Sequence, residues 1–183
     1  ASGVVREILA KAHPERGLWM RNWGTDKTGK RLAGSSPFMS GVMLEGLIAY
    51  SRVEMRPEVD NFIVKAVRTW IREAWIETDG GFYYHPGVEC RDRGRPADAR
   101  QLPGLVYAYE ITQDEEIRRV LLANYSACVR AHLESTMGKK IKGGAADSDK
   151  NYAIFMRATP RVIATMKRLG VKVPKRDRDR NTE

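Results

Sequence analysis

The chain has 183 residues, 42% hydrophobic and 30% charged, with a formal net charge of +9 at pH 7; that length suffices for one domain with its own core. No apolar run nears the roughly 20 residues a membrane span needs, and the start lacks the apolar h-region of a signal peptide. Two cysteines, Cys90 and Cys128, form neither a disulfide framework nor a metal-ligand pattern; they are read as free thiols, with a single bridge as the alternative.

Helix signals run the length of the chain. A first helix is expected over about residues 3–12, and a long polar loop over about 14–35. Ser36-Pro37 opens the next helix, since proline is tolerated in the first turn; it carries Val42, Met43, Leu44, Leu47 and Ile48. Pro57 starts a third, in which Val59, Phe62, Ile63, Ala66, Val67, Trp70 and Ile71 fall on one face at helical spacing. Gly81-Phe82-Tyr83-Tyr84-His85 is the one stretch that reads as extended. Asp98 is the expected N-cap of a short helix with Leu102, Leu105, Val106 and Tyr109. Thr112 and Glu115 form a capping-box pattern ahead of Ile117, Val120, Leu121, Cys128 and Ala131. A last helix holds Phe155, Met156, Val162, Ile163, Met166 and Leu169, and Gly170 is its expected stop. These elements place one domain over 1–171, and the basic segment 172–183 reads as a disordered tail.

The helices repeat. Placing Gly46-Leu47-Ile48 over Gly104-Leu105-Val106, an offset of 58 residues, also aligns Val53 with Ile111, Val59 with Ile117 and Ile63 with Leu121. A weaker third copy lays Pro103-Gly104-Leu105 over Pro160-Arg161-Val162, an offset of 57. A unit of this length holding two helices is a helical hairpin that buries its apolar face against its neighbours. Connections near 55–57 and 112–114 are short; those near 14–35, 77–97 and 137–149 are long. Antiparallel neighbours alternate direction, so all three long loops are expected at one end, and long ordered loops commonly carry function.

Ser36-Pro-Phe-Met-Ser-Gly-Val-Met-Leu-Glu-Gly-Leu-Ile-Ala-Tyr, Arg56-Pro-Glu-Val, Asp79-Gly-Gly-Phe-Tyr-Tyr-His and Ala97-Asp-Ala-Arg-Gln-Leu-Pro-Gly-Leu-Val-Tyr-Ala-Tyr resemble hairpins of the six-hairpin glycosidase-like α/α-toroids. The resemblance covers about residues 35–135 and implies an all-α fold of antiparallel helical hairpins forming a partial α/α-toroid, since the chain supplies about three hairpins of six. It implies a C-terminal portion of a bacterial polysaccharide lyase or glycoside hydrolase, periplasmic or secreted, with an upstream domain of the same precursor as partner. Fold likeness alone does not specify a reaction.

The candidate chemistry clusters in the long loops. A lyase acting on an acidic polysaccharide needs a base, an acid and a cation for the sugar carboxylate. Tyr83, Tyr84 and His85 suit proton transfer, and Arg93 and Arg95, with Arg91, suit a carboxylate. The alternative is that both tyrosines pack in an ordered turn. Trp19, Arg21, Asn22 and Trp23 form a second cluster: the indoles either stack on sugar rings, with Arg21 and Asn22 bonding its polar groups, or cover the core. A hydrolase would need two carboxylates, and neither Asp79, Glu89 nor Asp26 is marked as one; Glu45 and Glu110 read as ordinary surface or groove residues. No phosphate loop or metal motif is present, so no cofactor and no metal are expected. The expected partner is a glycan, acidic in the sharper form. A non-catalytic helical binding module is the alternative; nucleic acid, suggested only by a pI near 9.7 and Lys139-Lys140, lacks a recognition motif.

Overall fold

The computed structural model describes residues 2–25, 27–84, 86, 98–136 and 149–170. These residues are mostly helical: α1 (Ser2–Ala10), α2 (Pro37–Glu54), α3 (Pro57–Ala74), α4 (Leu102–Thr112), α5 (Glu115–Thr136) and α6 (Asp149–Arg168). Two short antiparallel pairs join them, β1 (Arg21–Thr25) with β2 (Arg31–Gly34), and β3 (Trp75–Ile76) with β4 (Gly81–Phe82). No described helix is long and apolar enough to cross a membrane.

The helices form two layers. α2, α4 and α6 pack side by side, and α3 and α5 pack against each other and against α4. α4 therefore has neighbours on every side, and its residues Leu102, Leu105, Val106, Tyr107, Ala108 and Tyr109 are all buried; a helix apolar all round is one enclosed all round. α3 is amphipathic instead: Val59, Ile63, Val67, Trp70 and Ile71 enter the core while Lys65, Arg68 and Arg72 face water.

The 58-residue repeat is a structural period. Met55 and Gln113, one repeat apart, are the two non-glycine residues with positive φ among the described residues, at 48° and 53°. Each donates its backbone N–H to the carbonyl four residues back, Met55 to Ser51 at 2.8 Å and Gln113 to Tyr109 at 2.9 Å. The two hairpins thus turn in the same way. Val59 and Ile117 are buried equivalently, as are Ile63 and Leu121. The third copy differs at its start, because Pro103 sits in the first turn of α4 whereas Pro160 lies inside α6. At its end the interval is 58 rather than 57. Arg52, Glu110 and Arg168 close α2, α4 and α6 at successive intervals of 58, and Glu110 bonds both arginines, Arg52 at 3.0 Å. Thr165 also donates to Glu110, at 2.6 Å. The three helices therefore run parallel with their last turns level.

Caps show where local reading and structure part. Asp98 accepts the Arg100 N–H at 2.9 Å as expected, and Gly170 takes the left-handed conformation, φ 68°, just beyond α6. The expected Thr112–Glu115 capping box does not form. Asp114 caps α5, accepting the Glu116 N–H at 2.9 Å, because the Thr112 hydroxyl turns back to the Ala108 carbonyl. The first long loop contains the unexpected β1–β2 hairpin, bulged between Asn22 and Gly24. Of the described residues 81–84 of the extended stretch, Gly81 and Phe82 pair as a strand.

Candidate functional site

The first long loop is tied along α3 and delivered to the start of α2. The Pro14 carbonyl accepts from Lys65, the Arg16 carbonyl accepts from the Thr69 hydroxyl at 2.8 Å, and Arg16 pairs with Glu73 at 3.6 Å. The loop then meets the first turn of α2 around an open cleft of about 260 Å³ lined by Trp19, Met20, Arg21, Ser35, Ser36, Met39, Ser40 and Met43.

Three features define this cleft. Trp19 is half-buried: its indole N–H donates to the Ile8 carbonyl at 2.8 Å and its ring lies 5.3 Å from Phe62. The ring thus anchors α1 and presents its remaining surface to the cleft. Met20, Met39 and Met43 are exposed and give the cleft a soft apolar wall. Ser35 and Ser36 are at least nine-tenths buried, yet neither hydroxyl has a hydrogen-bond partner among the described residues. Ser36 occupies the N-cap position of α2 without capping it. Its neighbour Ser40 is fully engaged, donating to the Ser36 carbonyl at 2.7 Å and accepting from the Trp70 indole at 3.1 Å. Orphaned buried hydroxyls are costly, and the residues that carry these two border the cleft.

The second predicted cluster lies on another face of the same turn. The Tyr84 ring packs 5.7 Å from Phe38, and the Arg100 guanidinium sits 4.0 Å over the Phe38 ring. Asp98 pairs with Arg100. Phe38 and Met39 are consecutive, so their side chains diverge by about 100° around the helix. Trp19 and Tyr84 thus share one end of the domain and flank the first turn of α2. Tyr83 is tied back by its N–H, which donates to the Ala74 carbonyl at 2.8 Å. Arg21 lines the cleft; Asn22 turns inward on its own bulge, its side-chain oxygen accepting the Gly24 N–H at 3.0 Å. Trp23 lies in β1, and its side chain is outside the described residues, as are His85, Arg91, Arg93, Arg95, Cys90, Asp26, Glu89 and the tail 172–183. Cys128 is free and buried, and burial pushes its thiol far up.

Sequence reasoning missed Ser35 and Ser36, whose only signal is a serine pair before Pro37, and Arg100, two residues after a cap it pairs with. It also undervalued Glu45 and Glu110. Both carboxylates are engaged between helices, Glu45 by Arg157 at 2.6 Å and Glu110 by Arg52 and Arg168. Beside them Asp60 accepts from the hydroxyls of Ser51 and Tyr107, the latter at 2.9 Å; burial raises the Tyr107 hydroxyl above its usual range, which keeps it a donor. Among the described residues no group of three or more His, Cys, Asp or Glu could hold a metal ion.

The described residues are mostly helical with two short strand pairs, consistent with the all-α class. No family model, no curated protein and no solved structure matches the chain.

Proposed function

We infer that the chain is an α/α-toroid-like domain of a carbohydrate-active protein, a lyase or hydrolase of acidic polysaccharide, and that it binds its glycan at the start of α2. One observation carries this: Trp19, Arg21, Ser35 and Ser36 line a single open cleft, and the two serine hydroxyls lie buried just beneath it without a partner among the described residues. An indole offers a flat apolar surface to a sugar ring. Arg21 suits a uronic carboxylate, and rotation of the Ser35 or Ser36 side chain toward the cleft would bring its hydroxyl to the ring's polar groups. The parallel order of α2, α4 and α6 with α3 and α5 behind them is the layering that an arc of a toroid would have, and it supports the architecture. Tyr83, Tyr84 and His85 remain the candidates for proton transfer, with Arg93 and Arg95 for the carboxylate.

Calorimetric titration with an oligouronate and with a neutral oligosaccharide tests the reading. The oligouronate should bind, and Arg21→Ala combined with Ser36→Ala should abolish the heat without changing the circular dichroism. No binding by the parent chain, or equal binding by the variant, defeats it.

A second reading is favoured by α2 itself. Met39, Val42, Met43 and Val53 are exposed along it, and Gly46 between them has open space at its Cβ position. Such a stripe fits a non-catalytic module that docks on a partner. Under that reading Val42→Glu would change the state of association and no glycan would bind.

A further inference from the structure

A second cleft, of about 180 Å³, lies between α2, α4 and α6, distinct from the one beside Trp19. Its floor is apolar and buried, formed by Ile48, Val106 and Val162. Its rim is cationic: Arg52, Arg157 and Arg161 line it against one carboxylate, Glu45. These charges are not equally committed. Arg157 is held by Glu45 at 2.6 Å and Arg52 by Glu110 at 3.0 Å, while Arg161 has no ion pair or hydrogen bond among the described residues. Arg157 and Arg161 are one helical turn apart on α6, so their guanidinium groups reach the same space.

Guanidinium forks match carboxylate and phosphate oxygens two at a time, and a low-dielectric floor strengthens each such contact. The cleft holds roughly six waters at about 30 Å³ each, a space that a single ring would largely fill, leaving its charged head at the arginine rim. We propose that the cleft between α2, α4 and α6 binds a small organic oxyanion, a carboxylate or a phosphate ester. Arg161 and Arg157 take its charge, and Ile48, Val106 and Val162 take its apolar body. Glu45 competes for Arg157 and restrains the affinity. The site stands independently of the glycan reading, because it shares no residue with the Trp19 cleft.

Calorimetry on the full chain tests this with benzoate, phenyl phosphate, inorganic sulfate and benzyl alcohol. Benzoate or phenyl phosphate should bind, whichever is tighter identifying the preferred head group, and benzyl alcohol should not. Arg161→Gln should weaken binding at least about 10-fold, the scale of a lost charge-assisted hydrogen bond; Arg130→Gln, an exposed position on α5, should leave it unchanged. Glu45→Gln should tighten it about 3-fold or more by releasing Arg157, an effect that mere loosening of the helices would not give. Equal binding by Arg161→Gln, equal binding of benzyl alcohol, sulfate binding as tightly as phenyl phosphate, or no gain in Glu45→Gln each overturns the proposal.

Discussion

Arg52 and Glu110 stand 58 residues apart in the chain and 3.0 Å apart in space, each in the last turn of its helix. Arg168, a further 58 residues on, shares the same carboxylate. A sequence period is thus read out as a ladder of charges, and Glu110 is its middle rung. Its side chain is only 15% exposed, and it also holds the buried Thr165 hydroxyl. Glu110→Gln should cost about 1–2 kcal/mol in urea unfolding, between the value of an exposed pair and that of a charge-assisted buried bond. In a double-mutant cycle with Arg52→Gln, the coupling should stay below about 1 kcal/mol, since Arg52 is partly in water. A cost in the noise would mean that the ladder holds nothing.

Met55 and Gln113 pay for two hairpin turns with left-handed backbone that favours glycine. Met55 is 80% exposed, so its side chain contributes little packing. Met55→Gly should raise stability by about 0.5–1 kcal/mol, and Gln113→Gly by less, because the Gln113 side chain donates to the Tyr109 carbonyl. Thermal midpoints of both variants check the order.

Gly41 has no room for a side chain. A Cβ there would stand 2.6 Å from the Arg100 carbonyl oxygen, a backbone atom that cannot swing aside. Gly41→Ala should destabilise by about 1–3 kcal/mol, the usual cost of overpacking. Gly46→Ala, one period before the enclosed Gly104 but on the open side of α2, should be neutral or stabilising by roughly 1 kcal/mol. Chemical denaturation of the pair separates crowding from helix propensity.

Asp114 gives the fold an acid-sensitive joint. Its bond to Arg68, then the N–H groups of Glu116 and Ile117, hold its carboxyl below the usual carboxylate range. A depressed folded-state pKa supplies stability above the unfolded value of about 3.9 and loses it as the pH falls through that value toward the folded one. Urea midpoints should therefore drop between neutral pH and about pH 3, and Asp114→Asn should flatten part of that slope. Asparagine keeps a capping oxygen while removing the charge that Arg68 reads.

Much of this fold was legible because burial writes itself as periodicity: the α3 stripe from Val59 to Ile71 and the overlay of Val59 on Ile117 both reappear as core. The charged rungs were not, although Arg52, Glu110 and Arg168 obey the same offset. An overlay keyed on like residues passes over a position whose sign alternates. Thr112 and Asp114 compete for one cap, and only the geometry of the preceding turn decides between them. The β1–β2 hairpin has no alternating apolar residues to announce it, since it is held by backbone pairing and a bulge. At the candidate site, Trp19 and Arg21 were visible by type. Ser35 and Ser36 were not, because a serine becomes informative only once its surroundings leave its hydroxyl without a partner.

The ladder also carries an address. It reads positive, negative, positive, and so ends on arginine at both edges of the α2–α4–α6 layer. A second copy stacked head to tail would set Arg168 of one molecule against Arg52 of the next, and a copy stacked face to face would oppose like with like. A helix laid on either edge would meet an arginine at this level. The ladder is thus neutralised at its centre and cationic at its two edges.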